Sequence, residues 1–229
     1  MILQRIKRKL YKATHPVVGE IWMLHRVVEQ RSEKPEQWAL EVTHDWLEHK
    51  ILEYQQKGYT FVPIDALPKN GRWICVTIDD GYRDNYTVAY SLLKRLHVPF
   101  TVYVTTGFID NRLPMWWYPK QKHGLNATEL QALDADPLCT IGAHTVSHPK
   151  LDTLSYEEQH KEIADSKQEL ERLLGHPIQH FSFPHGAYNA DTLAICRELG
   201  FKTVVQSWGG PVRRGATPYP LPRIELLEP

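Results

Sequence analysis

The sequence has few cysteines, no long apolar run and no excess of charge of either sign. Only three of its 229 residues are cysteines, and Cys75, Cys139 and Cys196 lie far apart in apolar stretches. This spacing excludes a CxxC-type zinc cage or a disulfide framework and favours reduced, buried thiols, which are typical of a reducing compartment. The 27 Lys and Arg residues balance the 27 Asp and Glu residues, so the composition predicts no nucleic-acid partner.

No run of about 18 apolar residues occurs, so the sequence predicts no membrane-spanning helix. The N-terminal segment, residues 1–18, begins MILQRIKRKL and lacks the apolar core of a signal peptide. We therefore expect a cytoplasmic protein. Within residues 1–12, apolar and basic side chains recur at the spacing of an amphipathic helix, which is typical of a helix that closes one end of a domain. A peripheral contact with an anionic membrane surface is the alternative for the same pattern.

From residue 19 onward, short apolar or β-branched runs alternate with patterns of helical spacing. The candidate strands cover residues 20–25, 59–62, 73–78, 98–104, 138–142, 179–183 and 201–206. Several of these runs are apolar on both faces, as the strands of a parallel sheet covered by helices require. No linker-like, repeated or low-complexity segment interrupts them. The sequence therefore predicts one α/β domain over residues 19–229, built as a single β/α barrel or as an open parallel sheet.

Capping residues mark the predicted helix boundaries. Thr43 is placed to cap one helix, and Asn126 and Ser155 each begin a capping-box pattern with a glutamate three residues later. Gly175 and Gly200 are typical of helix C-termini, where a left-handed residue ends the hydrogen-bond ladder. These signals alternate with the candidate strands, which supports the α/β assignment.

Two adjacent carboxylates follow the apolar run of residues 73–78. Asp79 and Asp80, in the stretch TIDDG, disfavour each other's ionisation by an amount on the order of 1 kcal/mol unless a cation or a proton lies between them. Chemistry in parallel α/β folds takes place at the C-terminal ends of the strands, which is where this pair stands. The position predicts a cation or a shared proton beside the two acids.

Two histidines at a spacing of four follow another candidate strand. His144 and His148 begin and end the stretch HTVSH, which is predicted to be a loop at a strand's C-terminal end. His176 and His180 have the same spacing but precede their strand, so they are predicted at the opposite end of the barrel. Two histidines and one carboxylate form a catalytic zinc-type site, and its cation would remove the repulsion between the two aspartates. The alternative is that the first aspartate caps the next helix and that the histidines are incidental surface residues.

Three motifs, in this order, resemble those of the polysaccharide deacetylases with the NodB homology fold. They are TIDDG at residues 77–81, HTVSH at residues 144–148 and FSFPHG at residues 181–186. The resemblance covers roughly residues 19–226 and implies a distorted (β/α) barrel of about seven strands. Two further stretches, MLHRV at 23–27 and LPRI at 221–224, are similar to a branch of the family that acts on exopolysaccharide, capsule or lipopolysaccharide.

The resemblance implies a role for individual residues. Asp79 matches the catalytic base, and Asp80 with His144 and His148 matches the metal triad. The backbone N–H of His185 matches the donor to the oxyanion. Zinc is the metal that the family implies, and the same ligand set would also accept Co²⁺, Ni²⁺ or Fe²⁺. The implied partner is an N-acetylated saccharide or glycan precursor, from which an acetyl group is hydrolysed.

The sequence departs from the family's common pattern at three places. Phe181 stands near the position of the arginine that opens the third motif. Residues 201–207 lack the aspartate of the fourth motif, and residues 221–224 lack the histidine that serves as general acid in the fifth. Because of these absences, no residue of the sequence is an obvious proton donor to the leaving amine.

Two residues are predicted to fill these roles. Arg223 is the candidate for the cationic partner that orients Asp79, and His25, at the end of the first strand, is the candidate proton donor. The alternative for His25 is a histidine satisfied within the core. The imidazole of His185 is a rival proton donor.

Aromatic residues follow the strand at 98–104 and the first motif. Trp116 and Trp117 lie in a long loop and are suited to stack on sugar rings, with packing in the core as the alternative. Tyr82 comes directly after the glycine of the first motif and is predicted to help shape the substrate pocket.

The sequence therefore predicts a metal-dependent sugar N-deacetylase in surface-polysaccharide biosynthesis. An O-acetyl esterase, or a hydrolase of a small amide on the same metal site, is one alternative. A non-catalytic glycan-binding relative is another, and the departures from the family pattern favour it. The adjacent aspartates argue against that last interpretation, because a retired site has no physical reason to keep an acid pair together.

Overall fold

A computed structural model describes residues 14–118 and 123–229 of the protein. These residues form eleven β-strands: β1 (Val17–Leu24), β2 (Arg26–Val28), β3 (Glu41–Thr43), β4 (Thr60–Phe61), β5 (Trp73–Ile78), β6 (Phe100–Val104), β7 (Cys139–Ala143), β8 (His180–Ser182), β9 (Thr203–Gly209), β10 (Val212–Arg213) and β11 (Leu221–Glu225). The α-helices in the same part of the chain are α1 (His44–Gln56), α2 (Tyr90–Arg95), α3 (Ala127–Asp134), α4 (Tyr156–Leu174) and α5 (Ala190–Glu198). Short 3₁₀ turns cover Pro35–Leu40, Ile64–Ala66, Thr106–Asn111, Leu151–Thr153 and Pro184–Gly186, and a π-helical turn, Asn85–Ala89, leads into α2.

Seven parallel strands close into a barrel. Their order around the ring is β1, β11, β9, β8, β7, β6 and β5, and the ring closes where β5 pairs with β1 from Gly19↔Trp73 to Leu24↔Ile78. Strand β10 pairs with β1 in antiparallel fashion, β4 extends the sheet beside β5, and β2 and β3 form a separate two-stranded sheet. The closed ring confirms the predicted (β/α) barrel of about seven strands and excludes the open sheet.

The membership of the ring differs from the predicted set of strands in one place. Residues 59–62 contribute only the two-residue β4, which pairs with β5 outside the ring, whereas residues 221–225 complete the ring as β11. Proline has no backbone N–H to donate to a ladder, and Pro222 coincides with a register shift between β11 and β9. This proline obscures the strand pattern of the LPRI stretch in the sequence.

Two apolar layers explain why the strands are apolar on both faces. Side chains such as Val102 pack between the barrel and its helices, while side chains such as Tyr103 and Cys75 fill the inside of the barrel. Successive residues of a strand point to opposite faces, so each barrel strand supplies both layers. The interior is therefore packed with side chains at one end, and the polar residues described below occupy the other.

The predicted helix signals are confirmed. Thr43 accepts a hydrogen bond from the backbone of the first turn of α1, and Asn126 and Ser155 both form complete capping boxes. Gly175 ends α4 in the left-handed conformation with φ at 79°. Helix α1 ends at Gln56, two residues before the predicted end.

The three cysteines are buried and free, as the sequence predicts. None of the described helices combines the length and the apolar character that crossing a membrane requires. The amphipathic helix predicted within residues 1–12 lies outside the described residues, and the domain boundary between residues 18 and 19 stays a prediction.

Candidate active site

The C-terminal ends of the barrel strands surround a cavity of about 430 Å³. Eight of the ten site residues predicted from the sequence line it: His25, Asp79, Asp80, Trp116, Trp117, His144, His148 and His185. The other two, Tyr82 and Arg223, lie behind its wall and are almost fully buried. Residues from most barrel strands therefore meet at this end of the barrel.

Asp80, His144 and His148 form a buried cluster of metal-ligand side chains. The Asp80 Oδ1 atom lies 3.4 Å from His144 Nε2 and 3.2 Å from His148 Nε2. Two ligands at the usual distance from a tetrahedral zinc ion are about 3.3 Å apart, so this spacing suits one divalent cation. Among the described residues, none forms a hydrogen bond with Asp80 Oδ1. The donor set and its unpaired oxygen therefore fit a divalent metal ion.

The backbone is strained where these ligands stand. Asp80, Thr145 and His148 have φ values of 75°, 68° and 64°, in the left-handed region that costs a non-glycine residue about 1 kcal/mol or more. The Thr145 hydroxyl holds the turn because it donates to the His144 carbonyl and accepts from the His148 N–H, at 2.5 and 3.1 Å. This strain turns the ligand side chains toward one another.

The hydrogen bond of His144 determines which of its nitrogens faces the cluster. Its Nδ1 donates to the Ser182 carbonyl oxygen at 2.8 Å, which leaves Nε2 with a free lone pair. A carbonyl partner of this kind fixes the tautomer that a metal ligand needs. Ser182, in the third motif on β8, thus orients His144, which begins the second motif after the neighbouring strand β7.

Asp79 is held by an arginine from the opposite end of the sequence. Arg223 Nη1 and Nη2 donate to Asp79 Oδ1 and Oδ2 at 2.7 and 2.6 Å, and the Ser182 hydroxyl donates to Oδ2 at 3.2 Å. Arg223 is itself fixed by the Gln206 carbonyl at 2.9 Å and by the Thr77 hydroxyl at 3.1 Å. The structure places Arg223 against Asp79, as predicted, and its catalytic role stays a prediction.

The two adjacent aspartates are ionised for different reasons. Burial opposes the ionisation of Asp79, but Arg223 outweighs burial and lowers the pKa of this carboxyl below its usual value. Burial also opposes the ionisation of Asp80, but His148 and His144 lower its pKa well below the usual range. One acid is therefore neutralised by an arginine, and its neighbour faces the cation-binding cluster.

His25 lies just beyond the end of β1, half-buried, with its side chain in the cavity wall. Its carbonyl accepts a hydrogen bond from the Asn85 side chain at 3.0 Å. The next residue, Arg26, is anchored to Glu41 and Asp84 at 2.9 and 2.8 Å. The backbone of His25 is thus fixed while its imidazole reaches the cavity, which is compatible with the predicted role as proton donor.

His185 stands in the Pro184–Gly186 turn with φ at 57°. None of the described residues accepts a hydrogen bond from its backbone N–H, which is therefore available to a ligand oxygen. Its imidazole packs 4.5 Å from the ring of His148, and burial lowers the pKa of this imidazole. The backbone donor and the rival proton donor of the prediction are thus both close to the metal-ligand cluster.

The aromatic loop after β6 forms one wall of the cavity. Trp116 is 62% exposed, whereas Trp117 is half-buried with its ring 5.0 Å from that of His148. Tyr82 is fully buried beneath this wall, where its hydroxyl accepts a hydrogen bond from Trp117 Nε1 at 2.6 Å. Tyr82 therefore does not line the cavity, because Arg26 and Tyr118 cover its ring, and it supports the pocket through Trp117, while its role in substrate binding stays a prediction.

Several cavity residues are absent from the predicted set. Ser207, Trp208 and Glu225 line the cavity from the ends of β9 and β11, and Trp208 is 57% exposed. Strand β9 runs three residues further than the predicted end at 206, which moves Trp208 from an unassigned loop to a strand end. Recognition of β11 as a strand would have placed Glu225 at the same end of the barrel.

The second histidine pair does not form a site. His176 Nε2 lies 2.9 Å from Asp134 at the surface. His180, the first residue of β8, has its Nδ1 atom 2.8 Å from the Thr203 hydroxyl. Both residues are at the N-terminal end of the strands, opposite the cavity. The prediction that this pair lies at the opposite end of the barrel is confirmed.

Comparison with known proteins identifies the family. The family model described as polysaccharide deacetylase matches residues 66–204, which is more than half of the chain. The chain belongs to the polysaccharide deacetylase family. The match spans the strands that carry Asp79, Asp80, His144, His148 and His185, so all five lie within the part of the chain that defines this family.

Individual relatives of this deacetylase cover most of its length. It is 26% identical over 217 residues to YxkH of Bacillus subtilis, which covers 94% of this chain and 74% of that protein. It is 28% identical over 166 residues to a peptidoglycan-N-acetylglucosamine deacetylase of Bacillus cereus, which covers 72% of this chain and 70% of that protein. The solved structure of the Streptococcus pyogenes deacetylase PplD in complex with acetate superposes with a TM-score of 0.76 at 27% identity and covers 93% of both chains.

Proposed function

We propose that this protein is a divalent-metal-dependent N-deacetylase that releases acetate from an N-acetylated sugar of a surface polysaccharide. The observation that carries the proposal is the position of an ionised carboxylate, Asp79, directly beside a buried cluster of three metal-ligand side chains. Both face one cavity with an exposed tryptophan in its wall. Family membership supports the deacetylase activity, and the site supports the metal dependence.

The residues of the chain divide the reaction between them. A divalent ion held by Asp80, His144 and His148 would act as a Lewis acid on the acetamide carbonyl and would lower the pKa of a water molecule. Asp79, kept ionised by Arg223, is placed to take the proton from the attacking water. Asp79 Oδ1 keeps a second lone pair for this proton, because it accepts only the bond from Arg223, whereas Oδ2 accepts from both Arg223 and Ser182.

The remaining steps need a donor for the oxyanion and a donor for the leaving amine. The backbone N–H of His185 is the proposed donor to the carbonyl oxygen as negative charge develops on it. The His25 imidazole is the proposed proton donor to the amine as the C–N bond breaks. The products are acetate and a sugar with a free amino group, which balances the water consumed.

The nature of the substrate is supported by the cavity wall and by the relatives. An exposed indole such as that of Trp116 offers a flat apolar face on which a sugar ring stacks. The similar Bacillus cereus protein is named for its action on N-acetylglucosamine units of peptidoglycan. We therefore propose an N-acetylated amino sugar within a glycan or a glycan precursor as the substrate.

Metal content and acetate release, measured on the same preparations, test the proposal. We expect about one divalent ion per chain in the wild type, loss of that ion in Asp80→Ala and His148→Ala, and release of acetate from oligomers of N-acetylglucosamine only by the ion-containing protein. His176→Ala is the matched control, because it removes a histidine of the same motif spacing from the opposite end of the barrel. A protein that binds no zinc, or one that hydrolyses only O-acetyl groups, would contradict the proposal.

The cellular location belongs to the same proposal. Three free, buried cysteines are compatible with action in the cytoplasm before the glycan is exported. Cell fractionation tests this location, and sedimentation with anionic vesicles tests the alternative of a peripheral membrane contact through residues 1–12.

A further inference from the structure

Glu225 is a carboxylate in the cavity wall for which the proposed reaction has no role. It ends β11, two residues after Arg223, and it pairs in register with Met23 of β1, which also lines the cavity. Side chains two apart on a strand share a face, so Arg223 and Glu225 both belong to the inner face of the barrel. Arg223 is buried in the floor, and Glu225 is exposed at the rim.

The charge of Glu225 is not compensated within the part of the chain that the structure describes. The two other carboxylates of the cavity already have assigned roles, since Asp79 binds Arg223 and Asp80 belongs to the metal-ligand cluster. Glu228, three residues further on, is also bonded, to the backbone and hydroxyl of Thr43. Among residues 14–118 and 123–229, by contrast, none forms a hydrogen bond or an ion pair with the Glu225 carboxylate. The cavity therefore offers a negative charge to whatever occupies it.

One cavity connects this charge with the aromatic loop. Strand β6 leads into the loop of Trp116 and Trp117, both tryptophans line the same cavity as Trp208 and Glu225, and the Trp116 ring lies 6.3 Å from that of His185. A glycan that stacks on Trp116 and presents an acetamide to the metal-ligand cluster extends toward the rim formed by Trp208 and Glu225. The sugar unit next to the reacting one thus comes to lie beside a carboxylate.

The negative charge of Glu225 distinguishes between the chemical forms that this neighbouring sugar unit can take. An N-acetylated unit is neutral, a unit that has already been deacetylated carries an ammonium group, and a uronic or lactyl-substituted unit carries a carboxylate. A carboxylate at the rim attracts the second form and repels the third, which contributes more to specificity than to affinity.

We propose that Glu225 is a specificity-determining residue that binds the ammonium group of a deacetylated amino-sugar unit beside the N-acetylated unit at the metal-ligand cluster. This inference rests on the proposed function for its biological meaning. It makes partly deacetylated chains better ligands than fully acetylated ones, and it disfavours glycans with a carboxylate at that unit.

Binding of a product-like ligand tests the inference without requiring turnover. The probes are a glucosamine tetramer, which has no acetamide to hydrolyse, and the matching N-acetylglucosamine tetramer, each titrated calorimetrically at about pH 6, where the sugar amines are charged. We expect Glu225→Gln to weaken binding of the cationic tetramer about two- to fivefold, as is usual for an exposed ion pair, and to change the binding of the neutral tetramer much less. This difference should shrink between about 0.02 M and about 0.5 M salt, because screening acts on charge pairs alone.

Glu157→Gln is the matched control, because it removes the same charge from an exposed glutamate in the first turn of α4, outside the cavity. The inference is overturned if Glu225→Gln binds the cationic tetramer as the wild type does, if it weakens both tetramers equally, or if the wild type fails to bind the cationic tetramer. Acetate release from the neutral tetramer is assayed separately and reports on the proposed function, so failure of one proposal is distinguishable from failure of the other.

Discussion

Arg223 and Asp79 form a two-pronged ion pair inside the barrel, although 144 positions separate them in the sequence. Both side chains are almost completely buried and only Asp79 borders the cavity, so water compensates little for the loss of either partner. Removal of one partner would leave the other as an uncompensated buried charge, which is among the most destabilising changes a protein can undergo. The pair therefore connects the stability of the fold with the ionisation of the proposed base.

Replacement of Arg223 is expected to affect both stability and turnover. Arg223→Ala should lower the free energy of unfolding by about 3–5 kcal/mol and reduce kcat more than 100-fold, measured by urea denaturation and acetate release. For Arg223→Lys, the free energy of unfolding and kcat should lie between those of the wild type and Arg223→Ala, because lysine keeps the charge but not the planar pair of donors. Arg95→Ala is the control, since Arg95 forms the same two-pronged pair with Glu48 at an exposed site, where the loss of stability should be much smaller. Equal costs at the two sites would contradict this account.

The loss of activity on replacing His25 is expected to depend on the leaving group of the substrate. His25→Gln should reduce hydrolysis of an N-acetyl sugar about 100-fold or more, because an amine leaves poorly without a proton. The same variant should retain most of its activity on an aryl acetate, whose phenolate leaves without protonation. The comparison is made on kcat for both substrates. If His185→Phe shows this substrate dependence and His25→Gln does not, the proton donor is His185.

The hydroxyl of Tyr82 is expected to control the position of Trp117. Tyr82→Phe removes the acceptor of the Trp117 indole N–H, so KM should rise a few-fold with little change in kcat, and stability should fall by about 1 kcal/mol. Tyr103→Phe is the control, because the buried Tyr103 hydroxyl has no hydrogen-bond partner among the described residues and its loss should be neutral or stabilising. A fall in kcat with unchanged KM in Tyr82→Phe would place its effect on the chemistry instead.

His180 is expected to make the fold less stable in acid. Burial lowers the pKa of His180 to about 4, whereas a histidine in the unfolded chain titrates near pH 6.5. Between these values the unfolded chain binds a proton that the folded protein excludes, so stability should fall as the pH drops from about 6.5 to about 4. This group alone should account for a loss of about 2 kcal/mol between pH 7.5 and pH 5.

The variant His180→Asn tests this linkage, because asparagine can replace the hydrogen bond to Thr203 without titrating. Urea denaturation at the two pH values should show a smaller decrease in stability than the wild type shows. In His176, Asp134 raises the pKa of the imidazole, so the corresponding variant, His176→Asn, should produce a small effect of the opposite sign. An unchanged pH dependence in His180→Asn would show that other groups control acid stability.

Local patterns predicted the fold class well because they depend on short-range physics. The capping boxes at Asn126 and Ser155 and the left-handed end at Gly175 are determined by a few neighbouring residues. The seventh barrel strand was missed for the opposite reason. Pro222 interrupts the strand pattern, and only the pairing of β11 with β1 and β9 identifies residues 221–225 as part of the ring.

The sequence by itself determined the chemistry that the site can hold. Two adjacent aspartates and two histidines four residues apart predict the ligand types of a metal site from residue identity and spacing, and the resemblance to the family adds Asp79 as the proposed base and Arg223 as its proposed partner. Tertiary structure decided which groups meet. It buried Tyr82 beneath Trp117, joined Ser182 to both Asp79 and His144, and brought Glu225 to the rim. These contacts depend on the pairing of strands and on the closure of the ring, which bring together residues that are distant in the chain, and no local pattern in the sequence shows which of them will meet.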